Sequence, residues 1–147
     1  QRKDGYIEAL LMHGMEPLEE LMKENAWTQD LSASATRELL SLSEPPDAIF
    51  ASTSDSSALG VWQTADVMGI EIPQQLGLCG YSNEAFTEIT DPSITSIDQR
   101  SVQMGKAIAE LYFSSLTGDV KHKVINILPE LIERNSSKRK WSEKAAP

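Results

Sequence analysis

The chain has 147 residues, 40% of them hydrophobic, which suits one domain with a real core. Its formal charge of −9, from 13 Lys and Arg against 22 Asp and Glu, excludes a direct grip on a nucleic-acid backbone, which needs clustered cations to displace counterions. A single cysteine, Cys79, excludes an internal disulfide and any CxxC zinc pair, and no run reaches the roughly 18 apolar residues of a membrane span.

A soluble protein of a reducing, cytoplasmic setting is therefore expected. The chain opens Gln1-Arg2-Lys3 with no Met and with a helical pattern already under way, as expected of a piece of a longer protein. From Lys3 to His13, Tyr6, Ile7, Leu10 and Leu11 follow helical spacing, with Gly14 placed to end the helix. The stretch Leu18 to Trp27 is ambiguous between helix and strand, and a strand ending at Trp27 better suits a strand-then-helix rhythm. Thr28 caps a second helix through Leu31, Ala35, Leu39 and Leu40, closed by Glu44-Pro45-Pro46.

The strand Ala48-Ile49-Phe50-Ala51 then stops at Ser52-Thr53-Ser54, and a helix runs from Asp55 to Met68, ended by Gly69 and Pro73. A second strand, Leu76 to Gly80, gives way to Tyr81-Ser82-Asn83. After a short loop or helix to Thr90 and a turn at Asp91-Pro92-Ser93, Ile94 to Ile97 reads as strand and Ser101 to Leu116 as a long helix. Val124 to Leu128, and Leu131 to Glu133 after Pro129, supply the last strands. Strands alternating with helices imply an α/β fold: a Rossmann-like three-layer parallel sheet with helices on both faces. The tail from Lys138 to Pro147, with its Lys138-Arg139-Lys140 cluster, reads as solvated disorder.

Neither GxxxxGK[ST] nor GxGxxG occurs, and no GxSxG elbow or HExxH helix is present. The two histidines, His13 beside a helix end and His122 in a loop, are not offered to a nucleophile, so no catalytic residues, metal or cofactor are assigned. What the chain does carry is a set of short hydrogen-bonding groups at strand ends: Ser52, Thr53, Ser54, Asp55, Ser82 and Asn83, with Trp27 and Arg2. Polyols are recognised by this mixture, because hydroxyl, amide, carboxylate and guanidinium groups match sugar hydroxyls while an aromatic ring takes the apolar face. Ser54 and Asp55 also have a plainer role as helix caps, Trp27 as core, and Arg2 as a surface charge.

The runs Arg2-x-x-Gly5-Tyr6-x-x-Ala9-Leu10, Pro46-Asp47-Ala48-Ile49-Phe50-Ala51, Asp55-x-x-Ala58-Leu59-Gly60, Gly69-Ile70-x-Ile72-Pro73, Gly80-Tyr81, Pro92-Ser93-Ile94-Thr95-Ser96-Ile97-x-Gln99, Met104-Gly105 and Leu128-Pro129-Glu130-Leu131-Ile132-x-Arg134 stand in order. Together they resemble the effector-binding domain of the lactose/galactose-repressor (LacI/GalR) family, over nearly the whole chain to about Ser137. The resemblance implies a lobe like that of a periplasmic binding protein, with an amino-terminal helix-turn-helix that reads operator DNA elsewhere in the protein. It implies that residues 1–99 and 129–137 form the carboxyl-terminal lobe, that 100–128 belong to a first lobe otherwise missing, and that 138–147 are tail. The helix Ser101 to Leu116 would then either pack on a neighbouring chain or be loosely held.

By the same resemblance Arg2, Trp27, Ser54, Asp55, Ser82, Asn83 and Gln99 are the ligand-binding candidates. Ser54 stands where the family commonly has Asn, and Ser82 where it commonly has Asp. Losing that carboxylate removes a charge-assisted acceptor of hydroxyl pairs and the local counter-charge of Arg2, which raises sugar acids beside neutral sugars. Ser57, Val61, Thr64, Phe86 and Ile89 mark the family's homodimer contact. Ligand would act by favouring one arrangement of the lobes, so modulating operator binding. A periplasmic sugar-binding protein of a transport system is the alternative, and a small α/β enzyme a third reading that lacks a placed general base.

Overall fold

The computed structural model describes residues 2–116, 118 and 124–139. Helix α1 (Arg2–Met12) leads through a single 3-10 turn, Glu19–Leu21, to α2 (Gln29–Leu40). Then follow β1 (Ala48–Phe50), α3 (Asp55–Val67), β2 (Gly77–Tyr81), α4 (Phe86–Ile89), β3 (Thr95–Asp98), α5 (Ser101–Leu116) and β4 (Glu130–Ile132), with a final 3-10 turn at Asn135–Ser137. The sheet order is β1-β2-β3-β4. The first three strands are parallel, Ile49 beside Leu78 and Gly80 beside Ser96, and β4 returns antiparallel with Glu130 beside Asp98.

The α/β class is as read, with one departure: the last strand runs against the others. A chain that crosses away after Asp98 and returns at Glu130 on the same end of the sheet has to run back down it. Leu18 to Trp27 is not a strand; beyond its 3-10 turn it is irregular, and the Trp27 indole N–H donates to the Glu24 carbonyl at 2.7 Å, closing a local turn where a strand would need a ladder. Val124 to Leu128 is also unpaired among the described residues, since no neighbouring strand supplies its ladder. His122 and Lys140 to Pro147 lie outside the described residues. Arg139 is not solvated tail: it donates to the carbonyls of Pro73, Asp47 and Gln75 at 2.8 to 3.0 Å and to the Asp47 carboxylate.

The core sits on one face of the sheet, where Ile49, Leu78 and Ile94 share a side and meet Ala58, Val61 and Ala65 of α3. Helix α2 covers α3, and it can do so closely because Gly60 faces the Gln29 carbonyl and Ser32 with no side chain between. Ser32 donates across the seam to the Ser57 carbonyl at 2.7 Å. The opposite face carries Cys79, Tyr81 and Thr95, and receives the Asn135–Ser137 turn, whose Ser137 hydroxyl lies 2.7 Å from that of Thr95. Helix α1 reaches this side through Arg2, but buries none of its residues. Helix α5 likewise buries none, leaving Met104, Ile108 and Tyr112 exposed.

Candidate functional site

Because β1, β2 and β3 are parallel, their carboxyl ends share one edge, and three loops leave from it: Ser52 to Ser54, Ser82 to Glu84, and Gln99 to Arg100. That is the edge at which ligands bind in open α/β sheets. Both connections of α5 with the sheet cross here too, and Arg100 is ion-paired with Glu130 across them.

Arg2 bridges two strand ends. Its Nη1 donates to the carbonyls of Ser52 at 2.5 Å and Thr53 at 3.3 Å, while the guanidinium lies 3.7 Å above the centre of the Tyr81 ring. Stacking on an aromatic face with fixed donors gives the cation a defined direction. Ser54 is the N-cap of α3, its hydroxyl accepting from the Ser57 N–H at 3.3 Å. The Ser57 hydroxyl in turn donates to the Ala26 carbonyl at 3.0 Å, which holds the Trp27 segment against the start of α3. Trp27 itself is 66% exposed, with its N–H spent on the Glu24 carbonyl.

The loop after β2 is strained. Ser82 has φ +133° and Asn83 φ +59°, conformations that cost of order 1–3 kcal/mol each and persist only where surroundings over-determine them. Here they are over-determined. The Ser82 N–H donates to the Ile97 carbonyl at 2.9 Å, the Asn83 N–H to Ser96 Oγ at 3.0 Å, and the Glu84 N–H to Asp55 Oδ2 at 2.7 Å. The Asn83 amide donates to Asp98 Oδ2 at 3.3 Å and accepts from Arg134 at 2.8 Å, and Gln99 Nε2 donates to Ser82 Oγ at 3.1 Å.

Arg2, Trp27, Ser54, Ser82, Asn83 and Gln99 therefore come to one edge, but Asp55 does not face it. Asp55 is 0% exposed; Oδ1 accepts from Ser96 Oγ at 2.7 Å and Oδ2 from Glu84. Gly80 makes room for that carboxylate, since any Cβ there would collide with Oδ1. Its part is to fix the loop from beneath. The dimer candidates are corrected further: Ser57, Val61 and Thr64 are 2%, 2% and 3% exposed, inside the protomer under α2, and Phe86 packs on the core. Only Ile89, 85% exposed, presents itself outward. Helical spacing puts those residues on one face without saying which neighbour covers it.

Sequence reading missed Arg134, whose guanidinium bonds the Ile94 carbonyl at 3.0 Å, the Asn83 amide and Glu88. It forms part of the quoted Leu128 to Arg134 run, yet nothing local indicates a reach of 51 residues. Cys79, half-buried on β2, has its thiol pushed from 9.0 up to about 11 by burial and, secondarily, by the Asp55 charge. His13 stands exposed just past the end of α1, and no group of three His, Cys, Asp or Glu suited to a metal occurs among the described residues. A cavity of about 870 Å³ lies between α1, the residues around Leu18 and β1, with Arg2, Ser52 and Thr53 at its rim and Tyr6, Leu10 and Phe50 in its wall. It runs along β1 and reaches the strand-end edge at Arg2, Ser52 and Thr53.

A sheet of this topology, with both crossings at the end that gathers the binding groups, defines a lobe of the periplasmic-binding-protein type. Residues 1–137 match the family described as the periplasmic binding protein-like domain, and the chain belongs to it, in the form carried by LacI-type regulators. It is 34% identical to the HTH-type transcriptional regulator CelR of Thermobifida fusca, over 87% of this chain and 37% of that protein. It is 28% identical to the HTH-type transcriptional repressor PurR of Edwardsiella ictaluri, over 92% of this chain and 40% of the relative. Among solved structures, a CelR–cellobiose complex superposes with a TM-score of 0.84 at 34% identity, covering 92% of this chain and 42% of that one. A LacI-type transcription regulator from Bifidobacterium animalis gives 0.83 at 26% identity, covering 93% and 49%. The chain thus spans less than half the length of these relatives.

Proposed function

We propose that this chain is the effector-binding part of a sugar-responsive transcriptional regulator, taking a small sugar or sugar acid between two lobes. The observation that carries the reading is the gathering of Arg2, Trp27, Ser54 and the Ser82–Gln99 pair at one strand-end edge, next to both chain crossings. A ligand held there bears on the crossings directly, so its binding free energy can favour one lobe arrangement and thereby change operator affinity elsewhere in the protein. Relatives named as regulators favour this over the transport-linked periplasmic protein, and one of them is described in complex with cellobiose. The reading makes the protein cytoplasmic, without enzymatic activity or cofactor, and homodimeric, with Ile89 as the one predicted contact residue left to serve. It assigns residues 1–99 and 129–137 to one lobe and 100–128 to the other. Operator DNA is a partner only through a separate amino-terminal domain.

The test is calorimetric titration of the full-length protein with neutral mono- and disaccharides and their acids, beside the Arg2→Ala variant. Micromolar binding of one of them, weakened at least tenfold in the variant, is expected. Failure of every saccharide to bind, or binding indifferent to Arg2, overturns the reading.

A further inference from the structure

The hydrogen bonds at the strand-end edge direct one hydroxyl outward. Ser82 Oγ accepts from Gln99 Nε2 and keeps its proton for an outside partner, whereas Ser54 Oγ accepts from the Ser57 N–H and turns its own proton to Ser57 Oγ at 3.5 Å, whose proton goes to the Ala26 carbonyl. Two carboxylates at the same edge, Asp55 and Asp98, are turned inward. Both oxygens of Asp55 are taken by Glu84 and Ser96, and those of Asp98 by the Arg100 N–H at 2.7 Å and the Asn83 amide. Asn83 is used on both sides of its amide, and the indole N–H of Trp27 is spent on Glu24.

Arg2 stands between the two hydroxyls. It is bonded to the carbonyls just before Ser54 and stacked on the residue just before Ser82. Only Nη1 is committed to those carbonyls among the described residues, out of the five N–H donors a guanidinium carries. The other cations near this edge are paired: Lys3 with Glu24, Arg100 with Glu130 and Arg134 with Glu88.

We infer that this edge is a hydrogen-bond-donor surface that selects a saccharide bearing one carboxylate, with the anion between Arg2 and Ser82 and the ring against Trp27. The inference rests on the saccharide reading given above and narrows it. A site in which donors converge on one cation rewards a single anionic acceptor, because charge-assisted bonds are roughly twice as strong as those a neutral hydroxyl makes. A dianionic phosphate would need a second cation, and those at hand are already neutralised.

The experiment titrates the full-length protein with glucuronate and galacturonate, with gluconate and galactonate, with glucose and galactose, and with glucose 6-phosphate. Wild type is compared with Ser82→Asp and Gln99→Glu, each of which places an acceptor where the hydroxyl proton now points or draws that proton inward. In wild type one acid binds at least tenfold more tightly than its neutral parent, the uronate and aldonate arms telling ring acid from open-chain acid. In both variants that ratio falls at least tenfold. A neutral sugar bound as tightly as its acid, a preference for the phosphate, or an unchanged ratio in the variants overturns this inference and leaves the saccharide reading standing. Absence of binding by all seven probes overturns this inference, and if the disaccharides also fail it overturns both.

Discussion

Asp55 shows how a residue placed by motif can be moved to another role by its surroundings. A carboxylate at the first position of α3 could serve as a helix-end charge or a ligand contact, yet its two oxygens are consumed by the loop they hold. Asp55→Asn keeps the shape but asks Ser96 Oγ, which already accepts from the Asn83 N–H, to accept again. Hydrogen bonds to charged buried groups contribute about 1.5–3 kcal/mol, so the variant should lose that much in urea unfolding, and Asp55→Ala more. A loss below about 0.5 kcal/mol would mean the loop holds itself. Cys79, on the same strand as Gly80, gives a prediction in pH. Its folded pKa is raised from 9.0 to about 11, so the unfolded chain releases the thiol proton first as pH climbs. The contribution is intact below pH 9 and is lost as pH rises toward 11. Thermal melts across that window should show a downward slope that is smaller in Cys79→Ala, and alkylation at pH 7 should be slow because the thiolate is scarce.

At the scale of elements, the helices were legible because their signals are local. Thr28 and Ser54 cap α2 and α3 through bonds to Leu31 and Ser57 N–H groups, three residues on, which a sequence states directly. The strands Ala48 to Phe50 and Gly77 to Tyr81 were legible as short apolar runs cut off by small polar residues. The antiparallel return of β4, the irregular course of Leu18 to Trp27 and the burial of Ser57, Val61 and Thr64 depend on what lies across the gap, which no window of sequence contains. The same is true of Arg134 and Arg139, whose partners are tens of residues away. Gly60 belongs to this class. Replacing it by Ala gains about 0.5–1 kcal/mol of helix propensity, but the new Cβ would sit against the Gln29 carbonyl, a backbone atom that cannot swing aside. Overpacking of this kind costs typically 1–3 kcal/mol, so the clash wins and Gly60→Ala should lower the denaturant midpoint. A raised midpoint would show that α2 rides loosely on α3.

For the whole molecule, the decisive point is that the strand-end edge proposed to bind ligand is open in its geometry. On the proposed reading Arg2, Ser54, Ser82 and Trp27 would cover one side of a ligand, and the large cavity, which runs along β1, meets that edge at Arg2, Ser52 and Thr53. Small-molecule sites of high affinity bury some 70–90% of the ligand surface, and one face cannot do that. The apolar row Met104, Ile108 and Tyr112 on α5, with no buried residue on that helix, shows that the sheet described here does not cover everything the chain folds. These 147 residues alone should therefore bind the preferred saccharide at least about a hundredfold more weakly than the full-length protein, since halving the contact sacrifices several kcal/mol and each 1.4 kcal/mol is a factor of ten. Calorimetry on the two proteins side by side measures the ratio. Equal affinity would mean that the strand-end edge binds unaided, and the second lobe would then report ligand without helping to hold it.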